Sequence, residues 1–392
     1  MKIKVTNKSL KNAINRVSSL VEKKSSIPAL TGVLIKAADG KVTLSATNLD
    51  TYITVDLADS EIIEDGDVVI TLSAMDKILM VKDVITIRSE NEAKDNVIVT
   101  ANNEKKKSKI RGISGEEFIE MPTMDQTAEN LVMTIPNGAE FCEDMKVIGQ
   151  AKSDNSARPI YTGFNFNSQN KSICAIDGYR MIFKTVDWWS ENLTNTTISG
   201  RADKELAKIV GKDKHSIKMY CNKKYAAFVG EDFVYLSRLF DGQFIDCKNI
   251  LPSDDAMVTD KTDFTFTDTK AVLSMLKEYV KANKTQQTYL PCVFTGYSEG
   301  NALTRYSSSD YKTFDEVGID GTIADDLVIG FNPDYFHTAL NLFNKLGIDY
   351  KVRMYSSIKP IVITGGDYTS VVVPMRCDME WTKDYIIKDY AA

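Results

Sequence analysis

An α+β fold made of three copies of one unit is what this sequence predicts, and three observations carry that prediction. A proline motif recurs as Ile27-Pro28-Ala29-Leu30-Thr31-Gly32, as Arg158-Pro159-Ile160-Tyr161-Thr162-Gly163, and, with one residue inserted, as Leu290-Pro291-Cys292-Val293-Phe294-Thr295-Gly296. The three prolines stand 131 and then 132 residues apart. The polar turns that follow, Asn48-Leu49-Asp50, Asp177-Gly178-Tyr179 and Ser309-Asp310-Tyr311, stand 129 and 132 apart. Self-similarity at a fixed period is the mark of a repeated structural unit, here of about 130 residues with two helices and many short strands.

Taken in chain order, each unit opens with a strand and a helical stretch. The first helix, about Lys8–Lys23, has Leu10, Ala13, Ile14, Val17, Leu20 and Val21 at helical spacing, which makes one apolar stripe. In the third unit Val272, Leu273, Leu276, Tyr279 and Val280 form the same stripe. The proline motif and alternating strands come next, then a second helical stretch near 73–83, 201–212 and 333–345. In the 201–212 stretch Ala202, Leu206, Ile209 and Val210 are the apolar side. Polar runs at Met124-Asp125-Gln126-Thr127 and Ser253-Asp254-Asp255 suit linkers and set the expected domains at 1–125, 126–254 and 255–376, with a C-terminal extension at 377–392.

The opposite helix faces are basic. Lys8, Lys11, Arg16, Lys23 and Lys24 belong to the first helical stretch, Arg201, Lys204 and Lys208 to a helix of the second unit, and Lys270, Lys277 and Lys281 to the third. The chain carries a net charge of −6, yet the helical windows 8–24, 73–83, 138–152, 201–214, 270–284 and 333–345 together hold +8 and the remainder −14. Segregation of this kind points to a phosphate-facing helical surface, despite the acidic total. With no aromatic residues among the lysines and no base-reading face, the contact expected is sequence-independent and salt-sensitive.

Catalytic signatures are missing. The sequence has no phosphate-binding glycine loop, no dinucleotide fingerprint, no H-E-x-x-H and no G-x-S-x-G. Of the two histidines, His215 reads as a surface residue and His337 as structural. Six scattered cysteines with no C-x-x-C argue against a disulfide framework or a zinc site, and no metal or organic cofactor is expected. The absence of a long apolar run and of a signal-like start leads to the expectation of a cytoplasmic, non-enzymatic protein.

Several segments resemble the bacterial replicative sliding clamps, the beta subunits of DNA polymerase III. They are Lys24-Ser25-Ser26-Ile27-Pro28-Ala29-Leu30, Arg158-Pro159-Ile160-Tyr161-Thr162-Gly163, Ile176-Asp177-Gly178-Tyr179-Arg180-Met181, Leu239-Phe240-Asp241-Gly242-Gln243-Phe244 and Val371-Val372-Val373-Pro374-Met375-Arg376. The resemblance runs over residues 1–376 and rests on the order and spacing of these pieces together. It implies the DNA clamp fold, with two chains closing head to tail into a homodimeric ring, helices lining the hole and sheets outside. It also implies a function without chemistry. The ring encircles double-stranded DNA and tethers the polymerase, raising its effective concentration at the primer end.

The partners implied are the DNA polymerase III alpha subunit, the clamp loader and other proteins bearing a short Gln-led hydrophobic clamp-binding motif. The cleft for that peptide maps by the same resemblance onto Tyr161, Ile176, Gly178, Tyr179, Arg180, Met181, Pro252, Pro360, Val371, Val373, Pro374, Met375 and Arg376. The chain departs from the family where Tyr161 replaces a usual leucine, Tyr179 a common histidine, and Phe244-Ile245-Asp246 a Phe-Pro-Asp. The segment after Arg376, with Trp381, Tyr385, Ile386, Ile387 and Tyr390, reads either as a frayed terminus or as aromatics that pack near the cleft and modulate partner access. The alternative reading is a divergent clamp-like scaffold that binds partner peptides without encircling DNA.

Overall fold

The computed structural model describes residues 1–80, 84–90, 96–101, 106–252, 262–285, 290–297, 300–305, 313–323 and 327–377. The first unit runs β1 (Lys2–Thr6), α1 (Asn7–Val17), β2 (Gly32–Ala38), β3 (Lys41–Thr47), β4 (Thr51–Asp56), β5 (Ser60–Glu64), β6 (Gly66–Thr71), α2 (Leu72–Leu79), β7 (Val84–Glu90), β8 (Asn96–Ala101) and β9 (Lys106–Arg111). The second runs β10 (Leu131–Ile135), α3 (Gly138–Ile148), β11 (Phe164–Asn167), β12 (Ser172–Ile176), β13 (Arg180–Thr185), β14 (Asn195–Ile198), α4 (Ala202–Val210), β15 (Ile217–Cys221), β16 (Tyr225–Val229) and β17 (Phe233–Arg238). A single helical turn, α5 (Cys247–Ile250), follows it. The third runs β18 (Thr262–Phe266), α6 (Thr269–Thr285), β19 (Cys292–Tyr297), β20 (Gly300–Arg305), β21 (Thr313–Glu316), β22 (Ile319–Thr322), β23 (Val328–Phe331), α7 (Pro333–Leu346), β24 (Lys351–Met354), β25 (Ile361–Gly365), β26 (Tyr368–Val372) and β27 (Pro374–Met375).

The order strand, helix, strands, helix, three strands therefore occurs three times, with the two-residue β27 added after the third, and the repeated sequence pieces fold alike. Pro28–Thr31 and Pro159–Thr162 are both 3-10 turns, with Thr31 and Thr162 each donating from Oγ to the proline carbonyl at 2.7 Å. In the third copy the inserted residue goes with a different outcome, and Cys292 enters β19 directly. The polar turns also correspond. Asn48 Oδ1 accepts from Asp50 N and Thr51 N, and Asp177 Oδ1 accepts from Tyr179 N and Arg180 N, the same side-chain-to-backbone device one period apart. The Ser309 turn lies outside the described residues.

One helix is shorter than its pattern. The helix expected over Lys8–Lys23 ends at Val17, so Lys23 and Lys24 lie off the helix. The physical cause is Ser18-Ser19, where Ser18 Oγ donates to Asn15 O and Leu20 N turns back to Val17 O. Leu20 still reaches the core and is buried, which explains how its apolar spacing mimicked two further turns.

By its contacts the chain forms two compact units, Met1–Lys146 with Trp188–Asp241, and Val147–Asp187 with Gly242–Ala392. In the first, one sheet runs β10-β15-β16-β17-β4-β3-β2-β6 and another β5-β1-β7-β8-β9. In the second, one sheet contains the order β11-β12-β13-β26-β25-β24-β18-β22 and another runs β21-β20-β19-β23-β27. The second repeat is shared between the units because its strands pair in two directions. β17 pairs with β4 of the first repeat (Phe233 opposite Val55), and β13 pairs with β26 of the third (Met181 opposite Val371). In repeat terms these are one joint used twice: the third strand after the second helix of one repeat against the strand that follows the polar turn of the repeat before it. The cores beneath are apolar and close-packed, as where Phe264 stacks on Phe294 with centroids 5.1 Å apart.

Candidate functional site

The second unit holds a cavity of about 290 Å³ built on the β12–β13 hairpin. Asp177 shapes that hairpin, taking two backbone N–H groups on Oδ1 and Arg180 Nε on Oδ2 at 2.8 Å. Gly178 supplies the φ of +95° the turn needs. The neighbouring edge is fixed by Val373 N donating to Tyr179 O at 2.8 Å. Arg180 is then stacked with its guanidinium carbon 4.5 Å from the Tyr335 ring centroid on α7. Burial, helped by Asp177, pushes the Tyr335 phenol above its ordinary pKa.

Of the residues expected in the cleft, Tyr161, Ile176, Gly178, Arg180, Met181, Val371 and Val373 line this cavity. Their floor is an apolar cluster of Cys174, Ile176, Met181, Phe183, Phe244, Cys247, Val362 and Val371. Tyr161 stands edge-on to Phe244, centroids 5.6 Å apart, so the replacement for leucine is packed into the wall. Tyr179, Pro252, Pro360, Pro374, Met375 and Arg376 are not among the lining residues. Tyr179 points outward at 64% exposure, while Pro374 and Met375 pair with β23 in the other sheet. Arg158, Ile245 and Ile250 line the cavity and were not expected there. A sequence signal existed for two of them. Arg158 precedes the repeated proline, and Ile245 sits in the variant Phe-Ile-Asp beside the turn α5, which Asp246 caps through Lys248 N.

The basic rows divide into free and engaged cations. Lys8 and Lys11 are exposed on α1, Lys204 on α4, and Lys270, Lys277 and Lys281 on α6. Arg16 is instead spent inside the first unit. Its guanidinium grips Asp232 in two bonds of 2.6 and 2.7 Å, and Nε donates to Ile209 O. Lys208 Nζ donates to Ser18 Oγ at 2.9 Å, and Arg201 reaches Ser19 O and the buried Glu205. These three cations therefore bind the α1 end to α4, a use that sequence spacing could not reveal. Arg16 holds the Asp232 carboxyl below its ordinary value. Glu205, 2% exposed and bonded by Tyr235 Oη at 2.8 Å, is pushed up by burial.

His215 is exposed, with Nδ1 2.6 Å from Asp213. His337 is half-buried on α7, and burial together with Lys277 lowers its pKa. Among the described residues no cluster of histidine, cysteine and carboxylate side chains could hold a metal ion, and no helix is long and apolar enough to cross a membrane.

Comparison with known proteins places this architecture in a class. Residues 1–125 match the N-terminal domain, and 137–246 the central domain, of the DNA polymerase III beta subunit family. The beta sliding clamp of Bacillus subtilis is 23% identical over 391 residues, covering 96% of this chain and all of the relative. That of Halalkalibacterium halodurans is 24% identical over 374 residues, covering 91% and 93%. The crystal structure of the Bacillus subtilis clamp superposes with a TM-score of 0.83 at 19% identity, over 96% of this chain and all of that one. A putative beta subunit from Eubacterium rectale gives 0.80 at 18%, with the same coverage. The fold is the DNA clamp fold. The chain belongs to the DNA polymerase III beta subunit family of sliding clamps.

Proposed function

We propose that this chain is one half of a DNA sliding clamp: two copies close head to tail around duplex DNA and hold the replicative polymerase there, with no chemistry of their own. One observation beyond the family carries the ring. The joint between β17 and β4 recurs between β26 and β13. Continuing that rule one step, β21 of the third repeat takes its partner from β9 of the first repeat of a second copy. Among the described residues both are edge strands, and their charges are opposite: Lys-Lys-Ser-Lys-Ile-Arg in β9 against Thr-Phe-Asp-Glu in β21. Exposed edges of this kind invite strand pairing.

The domains of the ring are 1–125, 126–254 and 255–376. Exposed lysines on α1, α4 and α6 face the phosphates through loose, sequence-independent contacts, as sliding requires. The 290 Å³ cavity takes the hydrophobic anchor of partner peptides, from the polymerase III alpha subunit, the clamp loader and other motif-bearing proteins. Residues 378–392 lie outside the described residues; the reading that this segment modulates access to the cleft predicts that its deletion alters peptide affinity. The cytoplasm is the compartment where these partners act.

The test is retention on DNA after loading: the protein should stay on a nicked circle and run off the same DNA once it is linearised. Equal loss from both would favour the scaffold that binds partners without enclosing the duplex.

A further inference from the structure

The joint between β13 and β26 carries the cavity, and its counterpart between β4 and β17 in the first unit is covered. Asn48 and Asp177 make the same turn 129 residues apart, with Leu49 at a φ of +77° where Gly178 has +95°. Arg238 N donates to Asp50 O at 2.8 Å, as Val373 N does to Tyr179 O. Tyr52 stands opposite Leu236 as Met181 stands opposite Val371. The segments after β9 and β17 correspond too, since Phe118-Ile119-Glu120 repeats as Phe244-Ile245-Asp246. Phe118 packs with Ala29 of the first proline motif, and Phe244 with Ile160 and Tyr161 of the second.

Beyond that point the two segments part. Asp246 caps the helical turn α5, and Ile245 stays 42% exposed at the open cavity. Glu120 is followed instead by Met121-Pro122-Thr123-Met124, where Pro122 offers no N–H and disfavours helical backbone at Met121. Residues 119–126 accordingly form neither helix nor strand, and Ile119, Met121 and Met124 pack on Tyr52, Leu236 and Ala227. Tyr52 and Leu236 are the residues that answer to Met181 and Val371 of the cavity.

We propose that residues 119–124 are the built-in occupant of a second peptide groove. Met121 and Met124 are tethered anchors that close the first joint, so each chain offers one partner-peptide site where its repeats make two. The effect on partner binding rests on the reading of the 290 Å³ cavity as the partner-peptide site. A short tether holds its anchors at an effective concentration on the order of millimolar, which excludes a free peptide present at micromolar concentration.

The cover is displaceable because the groove beneath it is not apolar throughout. Where the second joint has Cys174 and Phe183 in its floor, the first has Ser45 and Thr54, whose hydroxyls bond each other at 2.8 Å. Less apolar surface is therefore buried under the segment, and its hold is weaker. A cavity of about 370 Å³ remains there, lined by Ser45, Thr54, Tyr52, Glu120 and Met121 among others. Once opened, the groove takes the same class of hydrophobic peptide, less tightly than the second joint does.

The experiment counts peptides per chain. A labelled Gln-led hydrophobic peptide is titrated calorimetrically into the full chain and into Met121→Ser with Met124→Ser. Binding should rise from about one to about two peptides per chain, the added site being the weaker. A photoreactive form of the peptide should mark the 48–52 turn in the variant and not in the parent. A synthetic peptide of residues 117–126 should occupy the added site and leave the first unchanged. A variant that keeps the parent's circular dichroism melt, yet takes one peptide and no 117–126 peptide, overturns the proposal. If the double variant does not fold, Met124→Ser, which leaves Met121 and Ile119 in place, is titrated with the same expected and overturning results. A parent that binds no Gln-led peptide, with a variant that binds the 117–126 peptide, overturns the reading of the cavity alone.

Discussion

Single residues set the cleft, and their contributions separate cleanly. Gly178 has open space where a Cβ would stand, so Gly178→Ala meets no clash and its cost is purely the φ of +95°. We expect a loss of about 1–2 kcal/mol in urea unfolding, with the hairpin register kept by Asp177. Tyr161→Ala removes an aromatic edge from Phe244 and opens the cavity wall. Partner-peptide affinity should fall roughly tenfold, read by fluorescence titration, while Tyr161→Leu should retain binding because it restores an apolar wall. The importance of Gly178 was legible from a polar turn one period after Asn48. Ile250 was not, because nothing in a four-residue stretch says that it faces a cavity from the far side.

At the scale of elements, the seam between α1 and α4 carries two carboxylates of opposite pH behaviour. Arg16 depresses Asp232, so this pair adds stability above the ordinary value of 3.8 and loses it as pH falls through the lower folded value. Asp232→Asn should therefore be less stable than the parent near neutrality, by about 1 kcal/mol after allowance for partial exposure, and converge with it in acid. Glu205 is raised instead, so the group costs stability once pH climbs above 4.5 toward its folded value. Glu205→Gln should gain on the parent across that same rise, in a pH series of urea melts. The basic rows act at this scale too. Neutral substitution of Lys270, Lys277 and Lys281 on α6 should flatten the salt dependence of DNA binding, by about 0.9 in log–log slope for each phosphate no longer neutralised.

For the whole molecule, the repeated joint makes a prediction about assembly. Wild-type protein should run in light scattering at twice the 43.8 kDa chain mass. Lys107→Glu with Lys109→Glu, which reverses exposed charge on β9, should give single chains at the same concentration. Loss of DNA retention should accompany that change, since a half-ring cannot enclose a duplex. The same joint explains why the second repeat divides between two compact units while its sequence reads as one period: β17 and β13 are each committed to a neighbour's sheet.

By itself the sequence determined the triplication, the α+β character and the apolar stripes of α1, α4 and α6. All of these are local, since periodicity, turn chemistry and spacing act over a few residues and leave their mark in the order of side chains. Only the tertiary structure decided that α1 stops at Val17, that Arg16 and Lys208 bind α1 to α4, and that Pro374 and Met375 join another sheet. Each of these depends on groups far apart in the chain competing for one partner. A basic residue looks the same in sequence whether its charge faces solvent or a buried carboxylate, and only the packing of distant strands chooses between them.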